Sequence, residues 1–232
     1  MNARSLVLSS FLRMYRPQML WLAGFLIVGV GLADAVVVRF ADPPFSLWMF
    51  VAGSAVKYWL GVVGVTLVAV HLRQFVAAGI TRRDFIVGGL LFGVLLAVAF
   101  ALLVPVGHGF EYALRGGADG VPAGYPHWSP SVAVSEFGHV LPSCLAYLVT
   151  GAAAGAGFYR FGAWGGLALL VPALVPVAAA EGLLGLGDNG EVLTRLVPYG
   201  VALAVSLLAT VLGAVLYHRE LRHTAIRSAP MG

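Results

Sequence analysis

The residues of this chain able to do chemistry fall into three groups. The first is a set of ionisable side chains inside apolar stretches: Asp34, Lys57 and Glu181. A charge near the centre of a bilayer costs about 2.5–3.5 kcal/mol on insertion scales, so such groups face protein or water. Asp34 and Glu181 stand near the ends of their stretches. Lys57 and Asp34 differ in depth by about seven residues, or ~10 Å at helical rise, so a direct bridge between them needs snorkelling or an offset. Solvation in a cavity is the simpler expectation. The second group is His108, His127 and His139 with carboxylates nearby. These are metal-ligand types, but their spacing is not that of a tight site. His139, Ser143 and Cys144 are close in sequence, yet Ser143 and Cys144 point to different helix faces, which argues against a nucleophile pair. No cofactor is expected. Cys144 is the single cysteine, so an internal disulfide is excluded.

The third group is the stretch His71–Leu90, HLRQFVAAGITRRDFIVGGL. One apolar run ends before it, and another begins inside it at Phe85. Gly79 can take the left-handed conformation that stops a helix, and Thr81 can cap the next. Asp84, three residues after Thr81, has capping-box spacing and suits the positive end of a helix dipole. Arg82 and Arg83 do not suit it, so another demand fixes them. One source is topological, because arginines hold a turn on the cytoplasmic side. The other is a soluble partner with an acidic groove.

The elements that carry these groups follow from composition. Of 232 residues, 60% are hydrophobic and 10% charged, and the mean hydropathy is +0.92. A soluble domain of this size lacks the interior for so much apolar surface, so the expected solvent is bilayer. The fold class predicted is an all-α integral membrane protein with six transmembrane helices. The spans are placed at about 19–38, 47–70, 84–106, 137–158, 164–184 and 196–217. Residues 1–18 lack a signal-peptide core and read as an interfacial amphipathic helix that Pro17 breaks. Residues 71–83 form a cytoplasmic turn and 107–136 an outer loop, and 182–195 has the composition of a segment that dips back into the membrane. Gly89 and Gly93, and again Gly151 and Gly155, have the spacing of close helix packing. Pro172 and Pro176 are expected to bend the fifth span and free backbone carbonyls.

Charge sets the orientation. With both termini cytoplasmic, inner regions hold ten arginines (Arg4, Arg13, Arg16, Arg73, Arg82, Arg83, Arg160, Arg219, Arg222 and Arg227) against Arg39, Arg115 and Arg195 outside. That bias is the positive-inside rule. A near absence of lysine hints at a GC-rich bacterial genome, and the location expected is a bacterial inner membrane. Basic charge spread across a membrane in this way does not point to nucleic acid.

An amphipathic start, six spans and the cytoplasmic turn Gly79-Ile80-Thr81-Arg82-Arg83-Asp84-Phe85, preceded by Arg73, Gln74 and Phe75, together resemble the permease subunit of a type-2 ATP-binding-cassette (ABC) exporter. The motif covers about fifteen residues, and the topology covers the whole chain. The resemblance implies that Arg73, Phe75, Gly79, Thr81, Arg82, Arg83, Asp84 and Phe85 couple the chain to a separate ATPase subunit. Phe75 and Phe85 would be apolar anchors. It also implies a second permease subunit, in a homo- or heterodimer, and outward movement of a substrate. In that family the larger outer elaboration often joins spans five and six, whereas here the longest outer loop joins spans three and four. A P-loop needs glycine-lysine followed by serine or threonine, and the one lysine, Lys57, precedes Tyr58. ATP hydrolysis therefore falls to another polypeptide, and the chain itself is not expected to be an enzyme. The alternative is a non-transporting polytopic scaffold, sensor or immunity protein. A secondary transporter would want midplane carboxylates and an internal repeat, and neither is evident.

Overall fold

Long apolar runs without water-facing alternatives fold as helices, because a backbone in hydrocarbon must satisfy its own hydrogen bonds. The computed structural model describes residues 3–41, 43–117, 120–185 and 197–222, and every regular element among them is helical. Among the described residues, five helices are long and apolar enough to cross a membrane: α1 (Ala3–Phe40), α2 (Leu47–Ala77), α3 (Arg82–Leu114), α4 (Pro130–Leu184) and α5 (Tyr199–Leu221). This is the architecture of a multi-pass membrane protein.

Helix α4 is two antiparallel arms. At Gly162 the backbone turns to φ 74°, ψ −163°, a conformation open to glycine and costly for other residues. The arms, 130–161 and 163–184, fold back on each other from this point. A Cβ added at Gly157 would lie 3.3 Å from the Leu169 side chain, and the Thr150 hydroxyl donates to the Ala173 carbonyl at 2.7 Å. The turn thus falls between the two spans expected at 137–158 and 164–184. The second arm bends again at Leu174, between Pro172 and Pro176, and the Thr150 bond satisfies a carbonyl at that bend.

Glycines bring α2 and the first arm of α4 into backbone contact. A Cβ at Gly64 would be 2.2 Å from the Leu148 carbonyl oxygen, and one at Gly151 would be 2.0 Å from that of Gly61. Gly155 meets the Val65 carbonyl in the same way, at 3.0 Å. The Gly151/Gly155 expectation is therefore realised as a helix-helix seam. Gly89 and Gly93 act differently. Gly93 is a notch for Leu148, while Gly89 faces Phe11 of α1 at ordinary van der Waals distance.

Two boundaries differ from the sequence reading. Pro17 does not end a helix: α1 runs unbroken from Ala3 to Phe40. A proline removes one hydrogen bond and crowds the preceding turn, and here packing holds the helix together across it. Val7, Phe11 and Tyr15, four residues apart, form its buried stripe, so the segment before Pro17 lies against the bundle as the start of the first long helix. The outer loop is also shorter than 107–136, because α3 continues to Leu114 and α4 begins at Pro130. Ser129 caps α4 by accepting from the Val132 amide, with Pro130 in the first turn. The segment 186–196, which includes most of the expected re-entrant stretch, lies outside the described residues, as does the tail 223–232.

Candidate functional sites at the two ends of the bundle

At one end is the Gly79 turn. Gly79 has φ 85°; its amide donates to the Val76 carbonyl and that of Ile80 to Phe75, both at 3.0 Å. These two bonds and the contact of Ile80 with the apolar cluster make a Schellman stop for α2. Thr81 starts α3 by accepting from the Asp84 amide at 3.2 Å, while its hydroxyl donates to the Asp84 carboxylate at 2.7 Å. Arg4 of α1 adds an ion pair to Asp84 at 3.1 Å. The sequence reading of Gly79, Thr81 and Asp84 therefore holds in detail.

The apolar anchors do not hold in the same way. Phe85 is fully buried and Phe75 half-buried, and both pack against Phe11, with ring centroids 5.8 and 4.9 Å away. Phe92, His71 and Tyr15 complete the cluster around Phe11, and Gly88 makes room for Val7 beside it. Helix α1 thus takes up the surface that Phe75 and Phe85 were expected to offer a partner. Their burial follows from the packing of residues 7–15 of α1 against the bundle, where an interfacial helix would have left them uncovered. What faces outward is Arg73, Gln74, Ala77, Ala78, Gly79, Thr81 and Arg83, with Arg82 half-buried. Arg82, Arg83, Ile86 and His218 of α5 line a cavity of about 470 Å³ at this end.

Midway along the bundle, Lys57 of α2 donates to both carboxylate oxygens of Glu181 on the second arm of α4, at 2.9 and 3.0 Å. Neither the solvation in a cavity expected from sequence nor the alternative Asp34–Lys57 bridge is found: Lys57 pairs with Glu181, and Asp34 with Arg115. Two residues 124 apart in the chain meet because the α4 hairpin returns Glu181 to the level of Lys57.

The opposite end holds a network that the sequence reading largely missed. Arg115, just past α3, donates to Asp34 of α1 and, at 3.4 Å, to Glu111 of α3. Ser46, which caps α2 by accepting from the Met49 amide, donates its hydroxyl to Glu111. The Tyr125 ring lies 4.8 Å from the Arg115 guanidinium, a cation–π distance. Burial pulls the Arg115 guanidinium's pKa down, but Asp34 and Glu111 outweigh it and hold the group above the ordinary arginine value. Burial, with the Glu111 carboxylate beside it, pushes the Tyr125 phenol well above the usual tyrosine range. Next to these, His108 Nδ1 is 2.6 Å from Glu136 on α4, and both side chains are buried. His127 contacts the Tyr112 hydroxyl at 3.1 Å, whereas His139 bonds within its own helix to the Ser135 carbonyl. The three histidines thus have separate partners. Among the described residues no three His, Cys, Asp or Glu side chains gather as a metal site would need.

Two tryptophans lock this end. Trp48 Nε1 donates to the Val104 carbonyl at 2.8 Å and Trp128 Nε1 to that of Pro105 at 3.1 Å. Gly107 and Gly109 make this possible, since a Cβ at either would fall within 3 Å of an indole. The G-H-G spacing before Glu111 was the available signal, but it names no partner. Comparison of the chain with protein-family models, curated proteins and solved structures gives no match.

Proposed function

We propose that this chain is the transmembrane permease subunit of a type-2 ABC exporter in a bacterial inner membrane. It crosses six times, the α4 hairpin counting as two spans, with both termini cytoplasmic. A separate ATPase subunit docks on the Gly79 turn, and a second permease subunit completes a twelve-span conduit. ATP hydrolysis on the partner then drives alternating access, moving the substrate outward.

The observation that carries this reading is the construction of the turn. It is stopped by a Schellman motif, restarted by a Thr81 cap and braced from behind by Phe11 and Arg4. Helices α2 and α3, at 31 and 33 residues, extend ~46 and ~50 Å, well beyond a hydrocarbon core of about 30 Å. Such a turn joins the ends of two long helices, so a push on it reaches both. Its outward surface is small and basic, suited to an acidic groove on an ATPase. The aromatic residues act from below, as the rigid mount of the docking surface.

Ala78 is the residue to change, because it is exposed and no part of the Phe11 cluster. The Ala78→Trp variant should insert and melt like the wild type, yet retain less than a tenth of the co-purified ATPase. Unchanged ATPase retention and unchanged coupled hydrolysis would refute the docking assignment.

A further inference from the structure

Beside the Arg115 network lies a cleft of about 310 Å³ between α1, α2 and α3. Its walls are apolar, formed by Val30, Trp48, Leu103 and Phe110 among others, and its polar groups are the two carboxylates Asp34 and Glu111. That volume falls in the range of small-molecule sites, and an apolar wall with a few convergent polar groups is their usual composition. The cleft is also built to stay open. Trp48 is held by its bond to the Val104 carbonyl, and Gly107 leaves the space its indole occupies. At Leu26–Val30 the first helix widens to a π-helical turn, a local irregularity that recurs at functional sites, and Ile27 and Val30 from it line the cleft. Ile27, Val106, Phe110 and Leu114 are each more than half exposed, so the mouth opens sideways toward acyl chains.

Charge decides what such a cleft holds. Two carboxylates share one bonded cation, Arg115, so an ammonium beside them would give the pair a second cationic partner. Glu111 and Asp34 side chains are only 6% and 13% exposed, so water reaches them poorly. Two aromatic residues in the wall, Trp48 and Phe110, add a surface that favours a cation.

We propose that this cleft binds an amphiphile with an apolar body and one protonated amine, the ammonium seated at Asp34 and Glu111 and the body against Trp48 and Phe110. The site needs only the membrane setting of the chain and stands whether or not an ATPase docks at the far end.

The test uses the purified full chain in phosphatidylglycerol nanodiscs, with empty discs subtracted. Binding of naphthylmethylamine, naphthylmethanol and naphthoate is measured by titration calorimetry. The ammonium should bind at least about tenfold more tightly than the alcohol, as a charge-assisted hydrogen bond implies, and the carboxylate weakest. Asp34→Asn should remove that preference while the alcohol still binds, and Gly107→Ala, by displacing the Trp48 indole, should weaken both. If Asp34→Asn does not fold, Glu111→Gln reports the same ratio. Equal affinity for ammonium and alcohol in the wild type, or a ratio unchanged in the folded variant, overturns the proposal and leaves a cleft for acyl chains. Discs containing phosphatidylethanolamine separate two sources of the ammonium. Competition by that lipid identifies a headgroup, and no competition a soluble amine.

Discussion

The two ends of the bundle handle charge in opposite ways. At the Gly79 end the arginines face outward, and the interior behind them is a cluster of aromatic rings around Phe11. At the Arg115 end the charges turn inward and meet one another, with contributions from α1, from the cap of α2, from α3 and from the segment before α4. The first arrangement presents charge to something outside the chain. The second holds helices together through groups that cannot be left alone.

The comparison breaks most plainly if the ends are not on opposite sides of a membrane. In a Cys144→Ser background, a cysteine at Ala123 should react with an impermeant thiol reagent on intact cells. One at Ala78 should react only after permeabilisation. Both positions are exposed in the fold, so failure of this all-or-none pattern would contradict the orientation.

Next in size is the cost of unpairing the inward charges. Arg115→Met leaves two buried carboxylates without their cation, and breaking a buried pair costs about 3–5 kcal/mol. Unfolding in graded denaturing detergent should register that loss, and a second change, Asp34→Asn in the same chain, should recover part of it. At the other end Phe11→Ala should cost about 3 kcal/mol, the lower bound for deleting a buried phenylalanine. It should also loosen the turn, seen as faster proteolysis at residues 77–81. The smallest effect belongs to Arg83→Gln. This exposed arginine should change stability by no more than about 0.5 kcal/mol, so the same unfolding curve as the wild type is expected.

How much of this was legible in the sequence divides along the same line. The Gly79–Asp84 turn could be read because stop, cap and dipole signals act within six residues of one another. The α4 hairpin could be read because a polar, glycine-containing break interrupts a long apolar run. Pro17 misled, since a proline cancels one bond locally while the stripe Val7, Phe11 and Tyr15 finds its partners on α2 and α3, some sixty to eighty residues away. The same remote packing buries Phe75 and Phe85, which local sequence alone presents as outward anchors. The Arg115–Asp34 and Lys57–Glu181 pairs join residues 81 and 124 apart. Nothing in local spacing encodes such partners, only the requirement that each intramembrane charge have one. That requirement singled out Asp34, Lys57 and Glu181, and it left Arg115, Glu111 and Ser46 unseen because they stand at helix ends where water is an ordinary partner.

The most direct test of the account lies at Ala78. A photo-crosslinking amino acid placed there, in native membranes and under irradiation, should trap one soluble polypeptide. Mass spectrometry should identify it as an ATPase with a P-loop, and the same residue at Ala123 should trap none. Crosslinking at Ala78 to lipid alone, or to partners without a nucleotide-binding sequence, would contradict the assignment of this turn as the point where ATP hydrolysis is coupled to the membrane.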